Sequence, residues 1–134
     1  MHDPPTPATI LVVDDDVDFL AQVQVQLEGA GHRVTTAESL AEAEALLASQ
    51  RPDLAIVDLM MEHTDDGFVL CHKIRQRHPD MPIILVTAVT GETGFEFTAA
   101  PADKARPWIQ ADALLDKPVR FEQLTREIDR LLKG

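Results

Sequence analysis

Five polar side chains in this sequence are of the types that metal-assisted phosphate chemistry needs, and each stands at the end of an apolar run. They are Asp14, Asp15, Asp58, Thr87 and Lys117. Carboxylate oxygens suit Mg²⁺, a lysine ammonium gives a phosphate oxygen a point positive charge, and a threonine hydroxyl can donate a hydrogen bond to it. An ionised aspartate is costly inside a core but tolerable where a buried strand runs out. We therefore predict that Asp58, which follows four apolar residues, is a phosphate acceptor.

The elements that must position these side chains begin with five short runs that read as strands. Three of the runs are continuously apolar, as expected of parallel strands covered on both faces, whereas the second has little apolar content and suits a sheet edge. The predicted strands are Ile10–Val13, His32–Thr36, Leu54–Asp58, Pro82–Thr87 and Ala113–Asp116.

Helical patterns separate most of these strands. Ser39 with Glu42 three residues later predicts a capping box at the start of the second helix. The predicted helices span about 18–28, the stretch after Ser39, about 67–78 and about 121–133. Glycines and prolines interrupt residues 88–112, so at most a short helix is expected there.

The alternation of strands and helices predicts an α/β fold with a parallel sheet and helices on both faces. At this length the flavodoxin-like, doubly wound five-stranded order 2-1-3-4-5 is favoured, with an irregular or shortened helix 4 between strands 4 and 5. Neighbouring strands 1 and 3 then bring Asp14, Asp15 and Asp58 into one crevice, where Thr87 and Lys117 arrive from strands 4 and 5. Three carboxylates so close repel one another unless a cation compensates, and all-oxygen ligands favour Mg²⁺.

Composition narrows the class of protein. The 134 residues fit one domain, which we expect at 9–134 after a flexible leader at 1–8, with no room for an output domain. No signal peptide or membrane-length apolar run is found, so a cytoplasmic protein is expected. The formal charge of −11 argues against nucleic acid or a membrane as direct partners. The single cysteine, Cys71, is expected to be a buried reduced thiol.

In this order, the motifs Asp14-Asp15, Asp58 in VDLMM, Thr87-Ala88 and Lys117-Pro118 resemble those of response-regulator receiver domains, the phosphoacceptors of two-component signalling. The likeness covers nearly the whole chain. It implies that Asp58 takes phosphate from a sensor histidine kinase or a histidine phosphotransfer protein, and that the domain then signals to an unidentified downstream protein.

The resemblance also implies a ligand set and a mode of action. Mg²⁺ would be held by Asp14, Asp15, Asp58 and the backbone carbonyl of Met60, and the Lys117-Pro118 bond would be cis. The domain would not be an enzyme beyond assisting its own phosphorylation and dephosphorylation. A phosphorylation-dependent dimer is a further form of partnership that the resemblance leaves open.

The chain departs from the family pattern in two regions. The loop after Asp58 lacks the usual proline, and the positions that tune the phosphoryl lifetime are the apolar Met60 and Val89, which predicts slow self-dephosphorylation. Leu114 stands where receivers carry an aromatic residue on strand 5. We therefore expect the signal to be read through residues 88–112, where Phe95, Phe97, Trp108 and Ile109 either dock a partner or pack in an irregular crossover.

Two other interpretations remain. A phosphatase of haloacid dehalogenase type would use Asp14 and Asp16, although the residues expected after that motif are missing and Asp58 would be unexplained. A receiver-like adaptor that is not phosphorylated would not need the complete acid set. In the receiver interpretation Asp16 is an additional surface acid, and the five histidines, which lack metal-ligand spacing, are expected at the surface.

Overall fold

Five parallel strands form one sheet in the order β2-β1-β3-β4-β5 in a computed structural model that describes residues 8–58, 66–87, 112–116 and 119–133, except for the side chains at 66–68, 116 and 133. The strands are β1 (Thr9–Val13), β2 (Arg33–Ala37), β3 (Leu54–Asp58), β4 (Ile83–Thr87) and β5 (Ala113–Asp116). The helices within the described residues are α1 (Val17–Gly29), α2 (Leu40–Ser49), α3 (Asp66–Arg77) and a C-terminal helix (Phe121–Lys133). The predicted flavodoxin-like order is confirmed.

The sheet register aligns the ends of the central strands. Val13 of β1 pairs with Val57 of β3, and Asp58 pairs with Val86 of β4. At the two edges lie β2, the weakly apolar strand predicted for an edge, and β5. The carboxyl ends of β1, β3 and β4 therefore lie at nearly the same level, at one end of the strands.

Successive side chains along each strand point to opposite faces of the sheet and so contribute to two apolar clusters, one on each face. One face is covered by α2 and α3, through Ala43, Leu47, Leu70, Cys71 and Ile74. The other is covered by α1 and the C-terminal helix, through Leu20, Val23, Leu27, Leu124 and Ile128. All five residues of β3 and of β4 are buried, which explains why each strand is apolar up to its last residue.

The predicted cap of α2 is present. Ser39 accepts a hydrogen bond from the Glu42 backbone N–H at 3.1 Å. The Glu42 carboxylate accepts the N–H of Glu38 at 3.2 Å, one residue before the Ser39 N–H that a capping box would use. At the end of α1 the chain turns through Gly31, whose φ of 99° favours glycine, and the His32 N–H donates to the Leu27 carbonyl.

One histidine contradicts the surface prediction. His32 is buried, with 7% of its surface exposed, and its Nδ1 accepts the Ala8 N–H at 3.3 Å. His32 lies between α1 and β2 in the chain, and its bond to Ala8 is a tertiary contact that sequence spacing does not encode. Ala8, which the prediction placed in the leader, is itself buried, while residues 1–7 lie outside the described residues.

Several predictions concern residues that the structure does not describe. They include the loop at 59–65 with Met60, the segment 88–111 with Val89, Phe95, Phe97, Trp108 and Ile109, and the Lys117-Pro118 bond. Among the helices that are described, none combines the length and apolarity needed to cross a membrane.

Candidate functional site

Asp14 is the residue directly after β1, and its side chain is fully buried. Its backbone N–H donates to the carbonyl of Ala37, the last residue of β2, at 3.1 Å. Its Oδ1 accepts the backbone N–H of Asp16 at 2.8 Å. The turn that leads from β1 into α1 therefore orients this carboxylate.

Asp58 is the last residue of β3 and is only 5% exposed. Because Val13 and Val57 are paired, the residues that follow them, Asp14 and Asp58, leave the sheet side by side. Asp15 is exposed beside them, and one carboxylate oxygen from each of the three aspartates lies within 4.8 Å of the others. The structure thus brings together the three acids that the sequence predicted to converge.

This donor set fits a hard divalent cation. Two of the three carboxylates are buried, and burying a carboxylate is costly unless a positive charge compensates. All the atoms offered are carboxylate oxygens, which Mg²⁺ and Ca²⁺ prefer, whereas zinc sites use histidine and cysteine. Three protein ligands at one edge of a sheet also leave coordination positions for water or a substrate oxygen, as Mg²⁺ requires.

Thr87 ends β4 and is fully buried. It follows Val86, the residue paired with Asp58, so it lies one residue further along β4 than the position level with Asp58. Its own partner across the sheet is Asp116 of β5. Lys117, the next residue, and Met60 are outside the described residues, so their predicted roles at this site stay predictions.

Asp16 has a role that the sequence interpretation missed. It is exposed, as expected, but it is the N-cap of α1, and its Oδ1 accepts the backbone N–H groups of Asp18 at 3.0 Å and Phe19 at 3.3 Å. An aspartate directly before an apolar helical pattern is an N-cap signal that could have identified it. Asp16 therefore holds the start of α1 and is not one of the three clustered acids.

Comparisons with known proteins agree with this geometry. A family model described as the response regulator receiver domain matches residues 10–129. The transcriptional regulatory protein GlrR of Escherichia coli (strain K12) is 35% identical over 120 residues, covering 83% of this chain and 27% of GlrR. Response regulator MprA of Mycolicibacterium vanbaalenii is 34% identical over 127 residues, covering 95% of this chain and 51% of MprA. The chain thus spans between about a quarter and a half of these relatives' lengths.

A solved structure shows the same likeness. The response regulator protein TrrA from Thermotoga maritima, in complex with Mg²⁺–BeF, matches with a TM-score of 0.76 and 28% sequence identity, covering 92% of this chain and 98% of TrrA. The family match spans β3, all but the first residue of β1, the helices α1 to α3 and most of the C-terminal helix. The chain therefore belongs to the response regulator receiver domain family.

Proposed function

We propose that this domain is a phosphoacceptor, in which Asp58 receives a phosphoryl group from the phosphohistidine of a sensor histidine kinase or a histidine phosphotransfer protein. The observation that carries the proposal is the convergence of the Asp14, Asp15 and Asp58 carboxylates within 4.8 Å at the ends of two central strands. Membership of the receiver family supports a histidine kinase as the donor.

The transfer is a balanced displacement at phosphorus. A carboxylate oxygen of Asp58 forms a bond to phosphorus while the bond from phosphorus to the histidine nitrogen breaks, and the departing imidazole retains the electron pair. The product is an acyl phosphate on Asp58. Asp58 suits this role because it ends a buried strand, so its backbone is fixed by the pairing of β3 with β1 and β4.

The other residues would neutralise the charge of the phosphoryl group and orient it. Asp14 and Asp15, with Asp58, would hold Mg²⁺, which when bound neutralises charge on the phosphoryl oxygens. The Thr87 hydroxyl would donate a hydrogen bond to a phosphoryl oxygen, and the Lys117 ammonium would add a positive charge. The Mg²⁺–BeF complex of TrrA supports Mg²⁺ as the cation here.

The phosphorylated domain would signal through protein contacts. A formal charge of −11 disfavours direct binding of nucleic acid, since that needs a basic surface to displace counterions. We propose a downstream protein, or a second copy of the chain, as the receiver of the signal.

The structure weakens the phosphatase alternative. That chemistry would need Asp16 beside Asp14 at the reacting centre, but the Asp16 carboxylate is engaged by the backbone at the start of α1. Asp58, which that mechanism would leave idle, joins the cluster instead.

Intact mass spectrometry after incubation with acetyl phosphate and Mg²⁺ tests the proposal. We expect one phosphoryl group on the wild type, and none when EDTA replaces Mg²⁺ or when the chain carries Asp58→Asn. Asp53→Asn is the matched control, because it neutralises an acid at the amino end of β3, whereas Asp58 lies at the carboxyl end. It should be labelled like the wild type. An unlabelled wild type would refute the phosphoacceptor function and leave the adaptor interpretation.

A further inference from the structure

Asp16 stands between the buried carboxylate of Asp14 and the first turn of α1, and it is hydrogen-bonded in both directions. Its backbone N–H donates to Asp14 Oδ1 at 2.8 Å. Its own Oδ1 accepts the backbone N–H groups of Asp18 at 3.0 Å and Phe19 at 3.3 Å, and its carbonyl accepts the N–H of Leu20 at 3.1 Å. One residue therefore joins the acidic cluster to the start of the helix.

The helix to which Asp16 is bonded is held in place by the core, since Leu20, Val23 and Leu27 are buried in the apolar cluster on one face of the sheet. Asp16 has the extended backbone of an N-cap residue, with φ −89° and ψ 103°. Without a side-chain acceptor at this position, the N–H groups of the first turn lose their partner and the end of the helix frays. The direction of the Asp16 N–H therefore depends on the cap that its own side chain makes.

The backbone and the carboxylate of Asp14 are held by different contacts. The backbone N–H donates to the carbonyl of Ala37 at 3.1 Å, which places the main chain next to the end of β2. That bond leaves the side-chain torsions of Asp14 undetermined, and the N–H of Asp16 is a contact that restricts them. Hydrogen bonds to a metal-ligating carboxylate orient it, and losing such a partner weakens metal binding.

We propose that Asp16 is a positioning residue for the cation site. By capping α1 it holds its own N–H against Asp14 Oδ1, and so keeps the Asp14 carboxylate in the orientation that binds Mg²⁺. Asp16 acts through this geometry and not as a ligand, since the three clustered carboxylates of the described residues are those of Asp14, Asp15 and Asp58. The proposal rests on the proposed function, in which Asp14 is a Mg²⁺ ligand.

Three substitutions at position 16 separate the cap from the charge. Asp16→Ala, Asp16→Asn and Asp16→Ser remove the same negative charge, but the last two keep a side-chain oxygen that can cap the helix. A difference among these variants therefore reports the cap. Ser39→Ala controls for a general loss of stability, because it removes the cap of α2, in which Ser39 accepts the Glu42 N–H at 3.1 Å and which includes none of the clustered acids.

The test measures Mg²⁺ affinity by isothermal titration calorimetry, at a temperature where circular dichroism shows every variant folded. We expect Asp16→Ala to bind Mg²⁺ about tenfold more weakly than Asp16→Asn and Asp16→Ser, the lower end of the range for losing an outer-shell partner. Ser39→Ala should bind like the wild type. In phosphorylation by acetyl phosphate, the Mg²⁺ concentration that gives the half-maximal rate should rise by the same factor in Asp16→Ala, while the rate at saturating Mg²⁺ should recover.

Amide hydrogen exchange at position 16, measured by NMR without Mg²⁺, reports the bond to Asp14 directly. Relative to the intrinsic rate of each residue, the amide should be protected in the wild type, Asp16→Asn and Asp16→Ser, and should lose protection in Asp16→Ala. Equal Mg²⁺ affinity in the three variants at position 16 would overturn the inference, as would the same weakening in Ser39→Ala. A wild type that binds no Mg²⁺ would overturn it together with the cation site, whereas one that binds Mg²⁺ but takes no phosphoryl group would refute the phosphoacceptor function alone.

Discussion

Asp14 and Asp58 are buried carboxylates that lie beside the exposed carboxylate of Asp15. Burial disfavours the charged forms of Asp14 and Asp58, and the proximity of the three carboxylates adds repulsion between like charges. A divalent cation bound among these carboxylates would reduce this unfavourable electrostatic energy. The individual aspartates should therefore contribute strongly to cation affinity.

Asp14→Asn should weaken Mg²⁺ binding by about tenfold or more, a loss of about 1.4 kcal/mol or greater, because it removes one charged oxygen ligand. Isothermal titration calorimetry measures the change. Asp18→Asn removes the same formal charge from the exposed first turn of α1, outside the cluster, and should leave the affinity near the wild-type value. Equal weakening by both variants would mean that overall charge, not ligation, controls binding.

Cys71 illustrates a buried group without a part in the proposed chemistry. Burial raises the pKa of its thiol from 9.0 to about 12, with Arg75 opposing and Asp112 adding to the increase. The thiol is therefore neutral in the folded protein at pH 8, and alkylation by iodoacetamide should be much slower than in urea-unfolded protein. Because the unfolded chain releases this proton first, the contribution of Cys71 to stability should decline as pH rises from about 9 to about 12. Equal alkylation rates in both states would contradict this burial.

At the scale of elements, side chains next to strands and helices fix where those elements begin. Ser39 caps α2 and Asp16 caps α1, while Asp53 and Asp112 each bond the first residue of a neighbouring strand. The Ser39 cap was predictable because the capping box is a local pattern. The bonds of Asp53 and Asp112 were not, since they depend on which strands become neighbours and in which register.

Asp16→Ala should lower the free energy of unfolding by about 1 kcal/mol, as expected for losing an N-cap side chain. Ser39→Ala removes the corresponding cap of α2 and should cost a similar amount, so the two can be compared by urea denaturation. Asp16→Asn keeps an acceptor oxygen and should restore most of the stability. If Asp16→Ala were neutral, the capping bonds would not contribute to folding.

At the scale of the whole molecule, the strand order turns residues that are far apart in sequence into one site. The apolar ranking of the strands and the chain length were enough to predict the order 2-1-3-4-5 and the convergence of the three acids. The burial of His32 escaped prediction, because a lone histidine carries no periodic signal and its place depends on how α1 and β2 pack.

Mg²⁺ should stabilise the entire fold, because the three carboxylates proposed to bind it come together only when β1 and β3 are paired. Binding to the folded state alone adds about 2.7 kcal/mol at a concentration 100 times the Kd, so Tm should rise with Mg²⁺ concentration. In Asp58→Asn the Tm without Mg²⁺ should exceed that of the wild type, since a buried charge is removed, and its increase with Mg²⁺ should be reduced. Differential scanning calorimetry measures both, and an identical Mg²⁺ response in the variant would argue against Asp58 as a ligand.

The identity of the phosphoacceptor is tested most directly by trapping it. Sodium borohydride reduces an aspartyl phosphate to homoserine, which peptide mapping by mass spectrometry locates within the chain. After phosphorylation with acetyl phosphate and Mg²⁺, we expect homoserine at position 58 and unmodified aspartate at positions 14 and 15. Homoserine at position 14 or 15, or none anywhere in a labelled protein, would contradict the assignment of Asp58 as the acceptor.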